Sequence, residues 1–397
     1  MTRRSLVYLL FVFAGLTLSA GVRAQGEPPQ DWLQWGGPSR NFKTSVTGLS
    51  ASWPDAGLHR LWSRDLGEGY SSIIVETGTL YTMYRNGPRE SVVALDAATG
   101  QTRWTFTYDA PIDGMIPRHG EGPHSTPLLV GDRLFAVGST ARLHCLNKKD
   151  GSVVWSHDLY KDFGAMFRVR GYSASPLAYR DLIVLTAGGK DNQSLMAFRQ
   201  ADGAVVWRGG NLKQSQASPI LVNVDGQDQI VALLAADVAG FDPGTGAVLW
   251  SHPHPTSSDS GLNISTPVWG EDNVLFVSSS YDGGTRALRL SRKRTGTEVE
   301  QLWFHKQMRI AFSTLMAIGD HLYGSSGDLG VGILTAVNRH TGDVVWRDRS
   351  FGTASFVYAD GKLLLLDDGG TLGLVTVSPD GLQVHARAKV FDSLSWT

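Results

Sequence analysis

Polar side chains with chemical potential gather in a few short stretches of this sequence. They are Glu68-Gly69-Tyr70, Arg118 to His124, Arg168 to Tyr172, Gln214-Ser215-Gln216, Asp259 to Asn263, and Arg309. Brought onto one rim, Tyr70, Arg118, His124, Arg170, Tyr172, Gln214, Asn263 and Arg309 would form a cationic, hydrogen-bonding funnel. Guanidinium forks and amide or phenol donors suit an anionic or carboxylate-bearing ligand. Taken singly, each is also what a solvated loop contains. Other chemistries are poorly supplied. His252-Pro253-His254-Pro255 sets two histidines two apart, but no third ligand stands at a readable spacing, so the stretch reads as a loop. Glu121, Asp259 and Asn263 offer hard oxygens to a calcium ion, with nothing in their spacing to single them out. No G-x-S-x-G is present for a nucleophilic serine. No residue is assigned a catalytic or metal-binding role.

The elements that must position these stretches are set by a repeat. Ala94-Leu95-Asp96-Ala97-Ala98-Thr99-Gly100-Gln101-Thr102-Arg103-Trp104 is followed by Cys145 to Trp155 and by copies ending at Trp207, Trp250, Trp303 and Trp346. A degraded copy runs through Pro379-Asp380-Gly381 to about Val390. In five copies the Trp lies four residues after the Gly, while the copy at Gly296 has three extra residues before Trp303. With Trp62, the tryptophans recur every 42 to 53 residues, the range of a propeller blade. Turn formers followed by Gly make a hairpin whose glycine takes the left-handed conformation. The alternating flanks are strands. Ser125-Thr126-Pro127, Ser173 to Pro176, Ala217-Ser218-Pro219 and Ser265-Thr266-Pro267 each open a further apolar run, since Pro is tolerated at the first position of a strand. One period therefore holds four short strands, as at Ser125 to Val130, Arg133 to Val137, Arg142 to Leu146 and Ser152 to His157. Four antiparallel strands repeated radially make an all-β propeller. Trp62, Trp104, Trp155, Trp207, Trp250, Trp303 and Trp346 are expected to dock between neighbouring blades. The polar stretches then fall on the face where loops enter the innermost strands.

The repeated phrase resembles the tryptophan-docking motif of PQQ-like repeats, A-x-D-x-x-T-G-x-x-x-W, most closely at Ala94 to Trp104. Gln34-Trp35-Gly36-Gly37-Pro38-Ser39-Arg40 looks like the opening segment of secreted bacterial members. The resemblance covers nearly all of the chain beyond its leader and implies a propeller, usually of eight blades. Here the count predicts seven complete four-stranded blades plus a partial eighth, to which Trp62 contributes an outer strand. Quinoprotein alcohol dehydrogenases of this family hold PQQ under a ring of two adjacent cysteines, with a calcium ion and an Asp base. The single Cys145 cannot form that ring, and no C-x-x-C-H haem motif is present. The expectation is a binding or scaffold protein without a redox cofactor. Its occupant would be a protein partner or a small anionic ligand at the channel rim. The alternative is a quinoprotein dehydrogenase using PQQ with calcium on an alcohol or sugar. In architecture the chain is similar to the cofactor-free propeller lipoprotein of the outer-membrane β-barrel assembly machinery, without that protein's lipid-anchor cysteine.

Composition agrees with this reading. The 397 residues carry 36 basic and 37 acidic side chains, a balance that argues against nucleic acid as a partner. The 46 glycines and 12 tryptophans favour an all-β chain rich in tight turns. Arg3 and Arg4, the apolar stretch Leu6 to Leu18, and small residues before Ala24 read as a signal peptide over 1–24, cleaved after Ala24. An extended segment over 25–57 and the propeller over 58–397 follow, in a periplasmic or secreted monomer. A lone thiol leaves no internal disulfide, and Cys145 alternates with His144 as a buried structural residue would.

Overall fold

The structure is a computed structural model describing residues 31–50, 52–54, 57–113, 115, 120–165, 170–188, 192–258, 261–327 and 332–395. The expected leader, Arg118 and Asp259 lie outside the described residues. Strands pair into seven four-stranded antiparallel sheets, each formed by consecutive strands. They span 74–109, 128–158, 177–209, 220–253, 268–305, 316–348 and 354–389, and are called blades I to VII. The one helix among the described residues, Leu159–Phe163, was not expected from sequence. Asp158 caps its start, and Gly164 at φ 62° ends it.

Blade II shows why the sequence builds this unit. Its strands are Leu128–Val130, Arg133–Val137, Arg142–Asn147 and Val153–Asp158, within three residues of the predicted bounds. Leu128, Phe135 and Cys145 stand side by side on one face and pack on Ile183, Met196 and Phe198 of blade III. The opposite face, with Leu129, Leu134, Ala136 and Leu146, packs on Tyr81, Val92 and Ala94 of blade I. Inner strands are thus buried on both faces and read as nearly unbroken apolar runs. The outer strand keeps Val153 and Val154 in solvent.

In all seven blades the register between the third and fourth strands slips at one equivalent place. In blade I, Ala94 faces Trp104 but Leu95 faces Thr102, so Arg103 is the extra residue. A bulge here re-aims the side chain that follows it. All but one of the re-aimed indoles land on the next blade's turn. Trp104 lies over Gly151 and donates its indole N–H to the Lys148 carbonyl at 2.9 Å. Trp155 does the same at Gly203 and Gln200, Trp207 at Gly246 and Pro243, and Trp303 at Gly342 and Arg339. Trp250 departs from the pattern. The turn it would meet is the expanded one at Gly296, and its indole donates instead to Gln229 Oε1 at 2.7 Å.

Trp62 lies outside all seven sheets, yet it sits over Gly100 and donates to the Ala97 carbonyl at 3.0 Å. It therefore takes the outer-strand position of an eighth blade against blade I. Arg60 beside it reaches the Val390 carbonyl beyond blade VII, and Leu61 is 79% exposed.

The N-terminal stretch threads the central channel. Trp32 pairs with Val75 on the inner strand of blade I, and the Leu33 carbonyl accepts from Leu129 N in blade II. Trp35 donates to Thr266 Oγ1 at 2.9 Å ahead of blade V, and Thr44 N donates to the Tyr358 carbonyl of blade VII. Between them, Arg40 is fully enclosed. It donates to the Pro219 carbonyl at 2.6 Å, to the Pro176 carbonyl, and to Gln34 Oε1 at 3.0 Å. The loop that delivers it needs glycine twice. Gly36 and Gly37 have φ near 73° and 76°, and a Cβ on Gly37 would lie 2.7 Å from the Trp32 ring.

Candidate functional site

The residues just before each inner strand form a belt around the channel. Ser72 N donates to Thr126 Oγ1, Thr126 N to Ser175 Oγ, and Ser175 N to Ser218 Oγ, at 2.9 to 3.2 Å. Small hydroxylated residues are needed here because inner strands crowd the axis and each backbone N–H must find an acceptor on the neighbouring blade. The Ser/Thr-Pro triplets of the sequence are the segments that meet this requirement.

Above the belt, on the face where loops enter the inner strands, lies a cavity of about 150 Å³. Its floor is Trp35, held by its bond to Thr266 and by an edge-on contact with Phe42 at 4.9 Å. Tyr70 and His124, stacked parallel with centroids 5.7 Å apart, form one wall. Leu262, Ile264 and Phe312 form an apolar side, while Arg170 and Gln216 present the polar one. Burial, and then the charge of Glu68, push the Tyr70 phenol above its usual pKa, so it stays a neutral donor.

The rim loops are fastened from behind by a buried ion pair. Arg85 and Glu90 meet at 2.7 Å with side chains about 1% and 0% exposed. Glu90 also accepts from Tyr108 at 2.7 Å and from Ser139 N at 3.1 Å, and Gly138 leaves room for both side chains. Ser139 in turn donates to the Glu121 carbonyl and accepts from Tyr172 N. Gln216 completes the support. Its Nε2 donates to the Gly171 carbonyl at 3.0 Å, and its Oε1 accepts from Ser173. Arg170 therefore stands at the edge of a loop tied to two blades.

Of the residues expected at the rim, the structure brings Tyr70, His124 and Arg170 to this cavity. Arg118 is outside the described residues, and the remaining four lie elsewhere. Tyr172 is buried between blades II and III, and burial raises its phenol pKa. Gln214 packs under Gly188. Asn263 is fully buried, donating to the Leu234 carbonyl at 2.6 Å and accepting from Ser279. Arg309 is on the surface, paired with Asp282 at 3.3 Å. Trp35, Gln216 and Phe312 were not singled out as ligand contacts. The Gln214-Ser215-Gln216 stretch held the right amide, but alternation decides which of the two faces inward. Cys145 is buried, and burial pushes its thiol up to about 12. His254 is buried against Ser279 at 2.9 Å, while His252 turns to the Pro253 carbonyl, so the two do not converge. Among the described residues no group of three or more His, Cys, Asp or Glu is placed to hold a metal ion.

PQQ with calcium asks for carboxylate ligands and an Asp base beside the quinone. The described lining of the cavity contains no Asp, Glu or Cys, and Asn263 has its amide committed elsewhere. These residues do not fit that group.

A ring of four-stranded blades with tryptophans docked over turn glycines, and a pocket at the channel mouth, defines a PQQ-like repeat propeller. The chain belongs to the family described as Outer membrane protein assembly factor BamB (PQQ_2), whose model matches residues 88–372. Among solved structures, BamB from Moraxella catarrhalis superposes with a TM-score of 0.53 at 21% identity, covering 80% of this chain and 83% of that one. That likeness is one of fold. A europium-containing methanol dehydrogenase aligns at 11% identity and a TM-score of 0.46, over 88% of this chain and 90% of that one. No curated protein matches the chain in sequence.

Proposed function

We propose that this protein is an exported binding module, without a redox cofactor, that receives its ligand or partner at the mouth of the central channel. The observation that carries the reading is the make-up of that mouth. Aromatic walls, one guanidinium and an amide converge there, and the described lining holds no carboxylate and no cysteine. Such a concave site with few polar groups suits recognition. Fold alone does not decide between catalysis and binding, so the donor set has to. A protein segment or a small anionic molecule is the expected occupant. Two features support export: the leader-like start of the sequence, and a family description that places its reference protein in outer-membrane assembly. No helix among the described residues is long and apolar enough to cross a membrane.

The test is titration of the purified chain with PQQ, with and without calcium, followed by absorbance and by dye-linked oxidation of alcohols and sugars. The expected result is no saturable spectral change and no turnover. Saturable binding with turnover would overturn the proposal.

A further inference from the structure

The described lining of the channel mouth carries one guanidinium, Arg170, and no carboxylate. That guanidinium has no Asp or Glu beside it in the described lining. Directly beneath is Arg40, bonded to the carbonyls of Pro176 and Pro219. Each is one residue below a serine of the pocket wall, Ser175 or Ser218. Burial lowers the pKa of Arg40 to about 9, which still leaves it a cation at neutral pH. Its partners are all neutral oxygens, so its charge is dispersed but not cancelled. In a cleft with low-dielectric walls, uncompensated charge acts over a longer range than in water and favours a guest of opposite sign.

Size and surface narrow the guest further. A cavity near 150 Å³ lined by apolar groups has room for about one benzene ring. Trp35 below, Phe312 to the side and the Tyr70–His124 stack give such a ring aromatic neighbours. The Ser313 hydroxyl, in the same wall and buried, has no hydrogen-bond partner. Buried polar groups are almost always paired, so this one is available to a ligand or a water.

Resting on the binding reading above, we propose that the mouth selects a small aromatic monoanion: a single ring bearing one carboxylate. The ring lies on Trp35 and the carboxylate faces Arg170.

Calorimetric titration of the full chain with benzoate, benzyl alcohol and benzylammonium tests this. Benzoate is expected to bind saturably and at least about tenfold more tightly than benzyl alcohol, the scale of one charge-assisted hydrogen bond. Benzylammonium is expected not to bind. Arg170→Gln should bring benzoate down to the level of benzyl alcohol, and Phe312→Ala should weaken both. Equal affinity for benzoate and benzyl alcohol, or an unchanged benzoate affinity in Arg170→Gln, would overturn the anion selection while leaving the mouth a binding site. Absence of binding by every ring would overturn the ligand class. The separate PQQ titration decides whether the cofactor-free reading falls as well.

Discussion

His144 shows how much a single position depends on its neighbours. In sequence it is the polar partner of an alternating strand. In the fold it lies between blades I and II, with ring centroids 4.3 Å from Tyr108 and 5.0 Å from Phe106. Burial, aided by the charge of Arg142, lowers its pKa from 6.5 to about 4. The unfolded chain therefore takes up a proton that the folded chain refuses. Stability is fully present above pH 6.5 and is lost as pH falls towards 4, by on the order of 3 kcal/mol from this residue. His144→Phe, which keeps an aromatic ring in the same surroundings, should flatten the decline seen by urea denaturation between pH 7 and 4.5. An unchanged slope would place the acid sensitivity elsewhere, first of all at buried His254, whose pKa burial lowers to about 3.

At the scale of one hairpin, the repeated phrase is a self-contained device. Asp242 Oδ1 accepts from Gly244 N, Thr245 N and Thr245 Oγ1 at 2.9 to 3.0 Å, closing the turn before Gly246. Gly246 then takes φ 74° and presents bare backbone to Trp207 of the preceding blade, where a Cβ would come within 2.4 Å of the ring. Gly131, at φ 56°, is also left-handed but faces open space. Gly131→Ala should therefore cost only the backbone strain, about 1 kcal/mol. Gly246→Ala should cost that strain plus a displaced indole, about 3 kcal/mol in all. Thermal unfolding of the two variants measures the difference, and equal losses would remove the docking role from the turn. Asp, Thr, Gly and Trp at their offsets are readable as a string, because every contact within the turn is local. Which carbonyl receives the indole is not, as Trp250 shows. Its partner, Gln229, is chosen by the length of a hairpin on the next blade.

The whole molecule is held at its axis as well as between its blades. The channel segment bonds to blades I, II, III, IV, V and VII, and Arg40 is its central tie. Arg40→Met should leave the Pro176 and Pro219 carbonyls, just ahead of two inner strands, and Gln34 without their donor. The expected loss is about 2–4 kcal/mol, from hydrogen bonds to a charged donor in a buried site. A lower melting temperature and faster hydrogen exchange across residues 32–44 would register it. Wild-type exchange at those amides would mean that Trp32 and Phe42 hold the segment without Arg40.

Sequence by itself determined the repeat unit, its four strands, the number of complete blades and the turns that dock the tryptophans. All of these follow from alternation and from spacings shorter than one blade. It also indicated the face on which polar loops gather. Only the tertiary structure decided which of those polar residues reach the channel. Tyr70, His124 and Arg170 do, while Tyr172, Gln214 and Asn263 turn into the blade packing. A rotation of one residue along a strand or loop exchanges a rim position for a buried one, and neighbouring blades set that rotation. The floor of the site was hidden for a related reason. Trp35 and Arg40 precede the first blade by more than thirty residues, and they meet Thr266, Pro176 and Pro219 only because the ring brings distant inner strands around one axis.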